Sequence, residues 1–460
     1  MTPNRRPRPA PNERELRLWK VGRALTLAFA AAVLVAGGIF YFLVVLLDVQ
    51  EIGATAKLDA KTLFDLVKLS FGVVAGAGAL VALVVAYRRQ RVDEAGAHRE
   101  ATRLHTERFS QAVDKLGSDS PAVRLGGVHA LAGLADDAPD DPLRQTCIDV
   151  LCAYLQLPFT PDPGTDPAHQ EEHHRYLAFR KVRHTILRLI GDHYRRPRGT
   201  HRSWQGCDLD LTGVTIDGDM NFTGATFSDG EVHFDSATFS GGTVSFDGAT
   251  FSGSDVHFSY ATFSGGTVSF NGATFSGGTV SFGGATFSGS DVHFGYAAFS
   301  LGEVHFGYAT FSGGTVSFSD ATFSDGTVSF SDATFSGGTV HFSEATFSGS
   351  TMNFGYATFS GSDVDFTEAT FSGGDVYFGY ATFSGSDVHF GGATFSGSDV
   401  SFDSATFSGS DVSFDSATFS GSDVSFDSTT GPAPQGLLAA VGTPPPSGVT
   451  LPSAWILSAP

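Results

Sequence analysis

A twelve-residue pattern, A-T-F-S-G-(G/S)-(T/D)-V-(S/H)-F-x-x, recurs from Ala225 to Ser428 without an insertion. One Phe returns in phase from Phe227, Phe239 and Phe251 to Phe419, and a second from Phe234 and Phe246 to Phe426. Val lies between them, as at Val232 and Val244, with one exchange to Met352. A fixed period of this kind predicts a solenoid, in which each repeat buries its apolar face only against its neighbours. Strand side chains alternate faces, so Val244 and Phe246 point inward and Ser245 points out. The expected core is Phe227, Val232, Phe234, Phe239, Val244, Phe246 and Phe251, repeated along the rod.

A coil of twelve residues is too small for two Phe, a Val and an Ala. Two repeats per coil, with 24 residues, give about eight to nine coils and a rod of about 40 Å at a strand spacing of about 4.8 Å. Gly and Ser are placed at the corners, where tight turns are needed.

The unit Ala237-Thr238-Phe239-Ser240-Gly241 is small, polar, large apolar, polar, small. It resembles the pentapeptide-repeat family, and the resemblance implies a right-handed, four-sided β-helix. Gly242 to Phe246 fits the same five-residue template, and Asp247-Gly248 adds two residues before the pattern restarts. The stretches 108–119 and 122–131 resemble the helical segment ahead of the repeats in actinobacterial membrane-anchored members of that family. The resemblance implies an architecture and no particular activity.

Charge is divided sharply. All 28 Lys and Arg lie at or before Arg202, whereas 26 of the 48 Asp and Glu lie beyond it. A cation-free rod does not grip nucleic acid through phosphates, but it suits a basic protein surface. Acidic residues also keep a Phe-rich solenoid from aggregating.

Ahead of the rod, residues 1–23 are Pro- and Arg-rich, and 24–47 and 69–87 are apolar runs long enough to span a bilayer. Residues 48–68 form the loop between them. Flanking basic residues place both ends in the cytoplasm, so the expectation is a multi-pass inner-membrane protein with a cytoplasmic solenoid. Gly72-x-x-x-Gly76 suggests helix pairing and a homo-oligomer through the hairpin. Residues 88–158 read as a helical segment, opened again at Pro121 and Pro142. Residues 159–202 read as a linker and a charged helix, 203–428 as the solenoid, and 429–460 as a mostly disordered Pro-rich tail in which Leu437 and Trp455 fold over the open end. Cys147, Cys152 and Cys207 lack metal spacing and suit a reducing compartment.

Candidate chemistry is sparse. His169-Gln170-Glu171-Glu172-His173 matches H-x-x-E-H, a zinc-protease signature, but it follows a linker and reads as a solvated helix face. His233 and His257, one coil apart, form a ladder able to titrate near neutral pH or bind metal. Asp363, Asp387 and Asp411 stack on one face, and Asp375, Asp399 and Asp423 on the other. Variation at an exposed position is the preferred reading of the His ladder, and the nine-residue Ca²⁺-binding β-roll pattern that the Asp ladder would need is absent. No cofactor, metal site or catalytic group is expected. The sequence reads as a non-enzymatic, membrane-tethered scaffold with an unidentified protein partner. The alternative is a DNA mimic that binds DNA gyrase, as some pentapeptide-repeat proteins do, or another basic DNA-binding protein.

Overall fold

A computed structural model describes residues 30, 34, 37, 38, 41, 60–160, 162–442, 445 and 448–457. The chain divides into two compact units, 1–102 and 103–460.

In the first unit the transmembrane expectation is overturned. Among the described residues no helix is long and apolar enough to cross a membrane. Residues 69–87, expected as a separate span, lie within one longer helix, α1 (Ala60–Leu116). That helix carries Lys61, Asp65 and Lys68 before the stretch and Arg88, Arg89 and Arg91 after it, and no Pro ends it at either side. Gly72, Gly76 and Gly78 thin the apolar content of the stretch itself. The basic segment 1–23, all but five residues of the first expected span and most of the loop after it lie outside the described residues. The inner-membrane location and oligomerisation through a hairpin lose their basis with the hairpin.

The second unit takes in the end of α1 and three further helices: α2 (Pro121–Asp136), α3 (Asp141–Gln156) and α4 (Gln170–Tyr194). Pro121 and Pro142 stand in the first turns of α2 and α3, where a missing N–H is harmless. The Asp140 side chain accepts from the Leu143 N–H and caps α3. Gly127 allows α2 to touch the end of α1: a Cβ there would lie 2.6 Å from the Leu116 nitrogen. Val128, Leu131, Ile148, Leu151, Val182 and Ile186 are fully buried between these helices. Cys147, Cys152 and Cys207 are free thiols, also buried.

The repeats form a four-sided parallel solenoid. The chain visits four faces in turn, with strands of two or three residues. Face 1 starts at Leu209–Asp210 and has 11 strands; faces 2, 3 and 4 start at Thr215–Ile216, Met220–Asn221 and Thr226–Ser228 and have 9 each. Register settles the coil length: Phe239 pairs with Phe263, Phe251 with Phe275 and Val244 with Val268, always 24 residues on.

Inside, Val, Ala and both Phe series are buried, with Phe419 of the last coil only partly so. The rings form four columns. Each ring stacks on the one 24 residues later, as Phe258 on Phe282 at 4.8 Å and 3°. The two inner columns also meet edge to face, as Phe258 and Phe270 do at 5.8 Å and 87°. That arrangement sets the positive ring edge of one column against the negative face of the other.

Both ends of the rod are covered. At the start, the Tyr194 ring of α4 lies 4.8 Å from Phe227, and Gly191 passes so close to the first coil that a Cβ would meet the Asn221 carbonyl oxygen at 2.5 Å. At the far end, α5 (Leu437–Val441) and α6 (Ser453–Leu457) bring Leu437 and Trp455 over the last coil. Trp455 packs 5.4 Å from Phe426 and donates its Nε1–H to the Gly431 carbonyl. Strand Val449–Thr450 adds the last rung of face 1.

Candidate interaction surface

Outward positions of the coil differ from one another far more than inward ones. On face 1, His233 pairs in register with His257, and their rings stack at 4.9 Å. His233 Nδ1 lies 3.5 Å from Asp235 and its Nε2 3.2 Å from Glu231. Hydrogen bonding to Asp235 outweighs partial burial and, with Glu231, pushes the imidazole up to about 9.

The Asp column runs on face 3, where Asp387 pairs with Asp411 and Asp363 stands one coil before them. The His pair and this Asp column therefore occupy different sheets, near opposite ends of the rod. Within face 3, His341, Asp365 and His389 are successive rungs. His341 sits 3.8 Å from Asp365; its proximity, with hydrogen bonds from Ser343 and Thr367, holds that carboxyl well below the usual range.

The H-x-x-E-H residues do not form one helical face. His169 ends a 3-10 turn (Pro167–His169) before α4 begins at Gln170. His173 turns its Nδ1 to Asp162 at 2.7 Å. Among the described residues no three His, Cys, Asp or Glu are grouped to hold a metal ion. The thiols are pushed up by burial, Cys147 to about 12 and Cys207 to about 11.

A cleft of about 500 Å³ beside α4 is lined by Arg124, Arg175, Arg183, Tyr154, Phe159 and Phe179. Its guanidiniums are already engaged. Arg183 donates to the Leu155 and Thr215 carbonyls and stacks on Phe159 at 4.7 Å, and Arg124 covers Phe179 at 4.6 Å. This cluster ties the helices to the first coil.

Two edges of the rod carry what the sequence reading missed. The turn between faces 1 and 2 places one residue per coil at positive φ: Ser236, Tyr260, Gly284, Tyr308, Asp332, Tyr356, Tyr380, Ser404 and Ser428. The equivalent turn between faces 3 and 4, on the diagonal edge, holds Tyr296, Asp320, Glu344 and Glu368 among glycines and one Ser. One edge is thus aromatic and the other acidic, although the two twelve-residue repeats have the same core. The available signal was a spacing of 48 residues between Tyr260, Tyr308 and Tyr356, which is two coils.

Residues 229–268, 301–340 and 337–382 match the family model described as pentapeptide repeats (9 copies). No curated protein matches the chain. Four parallel faces, a central Phe or Val on each and turns at the corners accord with that match over those residues.

Proposed function

We propose that the protein is a non-enzymatic scaffold whose acidic solenoid binds a basic protein surface. The observation that carries this reading is charge: 26 carboxylates and no Lys or Arg beyond Arg202, on a rigid rod with regular faces. Such a field steers a cationic partner and weakens as salt rises. Repeat solenoids with covered ends and uniform cores act through their surfaces. His233, His257, Asp363, Asp387 and Asp411 belong to that surface.

The test titrates the full-length chain with a short arginine-rich polypeptide and, separately, with duplex DNA, across a salt series. Binding of the polypeptide that falls steeply with salt, without binding of DNA, is the expected result. No polypeptide binding at low salt overturns the reading.

The same cation-free rod supports a second reading, mimicry of duplex DNA toward DNA gyrase. Its test is supercoiling: inhibition by the full-length chain supports it, and unchanged supercoiling at saturating protein removes it.

A further inference from the structure

We infer that the tyrosine edge between faces 1 and 2 docks an arginine-bearing polyproline II segment of a partner protein. The inference rests on the acidic-scaffold reading and names the chemistry of its partner.

The tyrosines are not there for the fold. Tyr260, Tyr308, Tyr356 and Tyr380 are 58–72% exposed, so they add little to the core. Each holds φ near +60°, a region that bulky L-residues rarely adopt. Gly284 and Ser404 occupy the same turn with the same φ, so smaller side chains satisfy it. Large rings kept exposed in an unfavourable backbone conformation mark a contact surface, and Tyr is enriched in such surfaces.

The rings are also ordered against the rod. Tyr260 leans over the next coil, where a Cβ on Gly284 would lie 2.7 Å from its ring. Tyr356 stacks on Tyr380 at 4.9 Å and 3°. Carboxylates stand among them. Asp332 occupies the coil between Tyr308 and Tyr356, and Tyr380 donates its backbone N–H to the carbonyl of Asp403 on the next coil. Aromatic faces beside carboxylates suit a guanidinium, which stacks on the first and pairs with the second.

Spacing selects the backbone of the partner. Tyr260, Tyr308 and Tyr356 stand two coils apart, and coils repeat at 4.8 Å, so the step is about 9.6 Å. A polyproline II segment presents every third residue along one side at about 9.3 Å. A strand repeats its face at about 6.7 Å, and two turns of helix advance about 10.8 Å. Only the first stays in phase over three tyrosines, and aromatic surfaces are the usual seat of such segments.

The experiment uses the full-length chain and two fluorescent peptides of about twelve residues. One repeats Pro-Pro-Arg; the other has the same composition with its arginines in one block. Binding is measured by anisotropy for the native chain, for Tyr260→Ser/Tyr308→Ser/Tyr356→Ser and for Tyr296→Ser on the other edge. Ser is native to the first edge at Ser236, Ser404 and Ser428, and circular dichroism verifies folding. The expected result is at least about tenfold tighter binding of the phased peptide, lost in the triple variant and kept in Tyr296→Ser. Equal, salt-sensitive binding of both peptides overturns the inference and leaves the acidic scaffold standing. Binding of neither peptide, with a free arginine-rich polypeptide also unbound, removes both.

Discussion

His233 shows how one exposed rung becomes an electrostatic device. Its imidazole lies between Glu231 and Asp235 and gains its proton in the folded state. A raised folded value stabilises the coil below the unfolded value of about 6.5 and loses that contribution as pH rises through about 9. The expectation is an NMR titration midpoint for His233 near 9, which drops toward 6.5 in Asp235→Asn. Inside the coil, Phe282 stacks between Phe258 and Phe306 and meets Phe270 and Phe294 edge to face. Phe282→Ala should cost roughly 3–5 kcal/mol in chemical unfolding, since neighbouring columns cannot collapse into the gap. These buried positions were readable in advance because a strict period leaves only one set of residues to bury. The tyrosine edge was not, because exposure removes the demand for phase, and five tyrosines at one position of seventeen repeats look like drift until the coil length is known.

At the scale of elements, the joint between α4 and the first coil centres on Asp217. Tyr176, Arg180 and His184 project from successive turns of α4 and all engage its carboxylate. Burial works against ionisation, but bonds from His184 and Tyr176 and the charge of Arg180 hold the group at about 2. A depressed carboxyl stabilises the fold above its unfolded value of about 3.9 and loses that contribution as pH falls through about 2. Asp217→Asn should therefore lower stability by roughly 1–3 kcal/mol at neutral pH and flatten the acid limb of the unfolding profile between about pH 4 and pH 2. Amide exchange in 209–222 would report the loosened joint. The apolar stripe of α4, with Val182, Ile186 and Ile190, was legible from its spacing. Its role in closing the rod was not, since that depends on Asp217 and Gly191 meeting partners about 30 residues away in sequence. The apolar run at 69–87 misled for the opposite reason. Local composition looked sufficient for a span, while the helix that contains it continues through charged residues on both sides.

Over the whole rod, stability should behave as a sum of nearly equal coils with nearest-neighbour coupling. Removing residues 273–296, one full coil, should leave circular dichroism unchanged and shorten the rod by about 4.8 Å in solution scattering. Removing residues 273–284 is the more informative change. The core accepts it, because Phe, Val and Ala recur every twelve residues, yet every downstream residue moves to the diagonal edge. Tyr260 stays in place while Tyr308, Tyr356 and Tyr380 cross to the other side. The phased peptide should then bind more weakly than to the native chain, because Tyr260 no longer shares an edge with Tyr308 and Tyr356.

The half-coil equivalence of the core thus gives the gene two kinds of length change. Slippage by an even number of repeats alters reach and keeps every downstream residue on its own face, though it changes the spacing across the junction. Slippage by an odd number keeps the fold and turns the distal half of the molecule over. A tandem array written in twelves is therefore displayed to the outside in twenty-fours, so the parity of the copy number sets which edge the distal residues occupy.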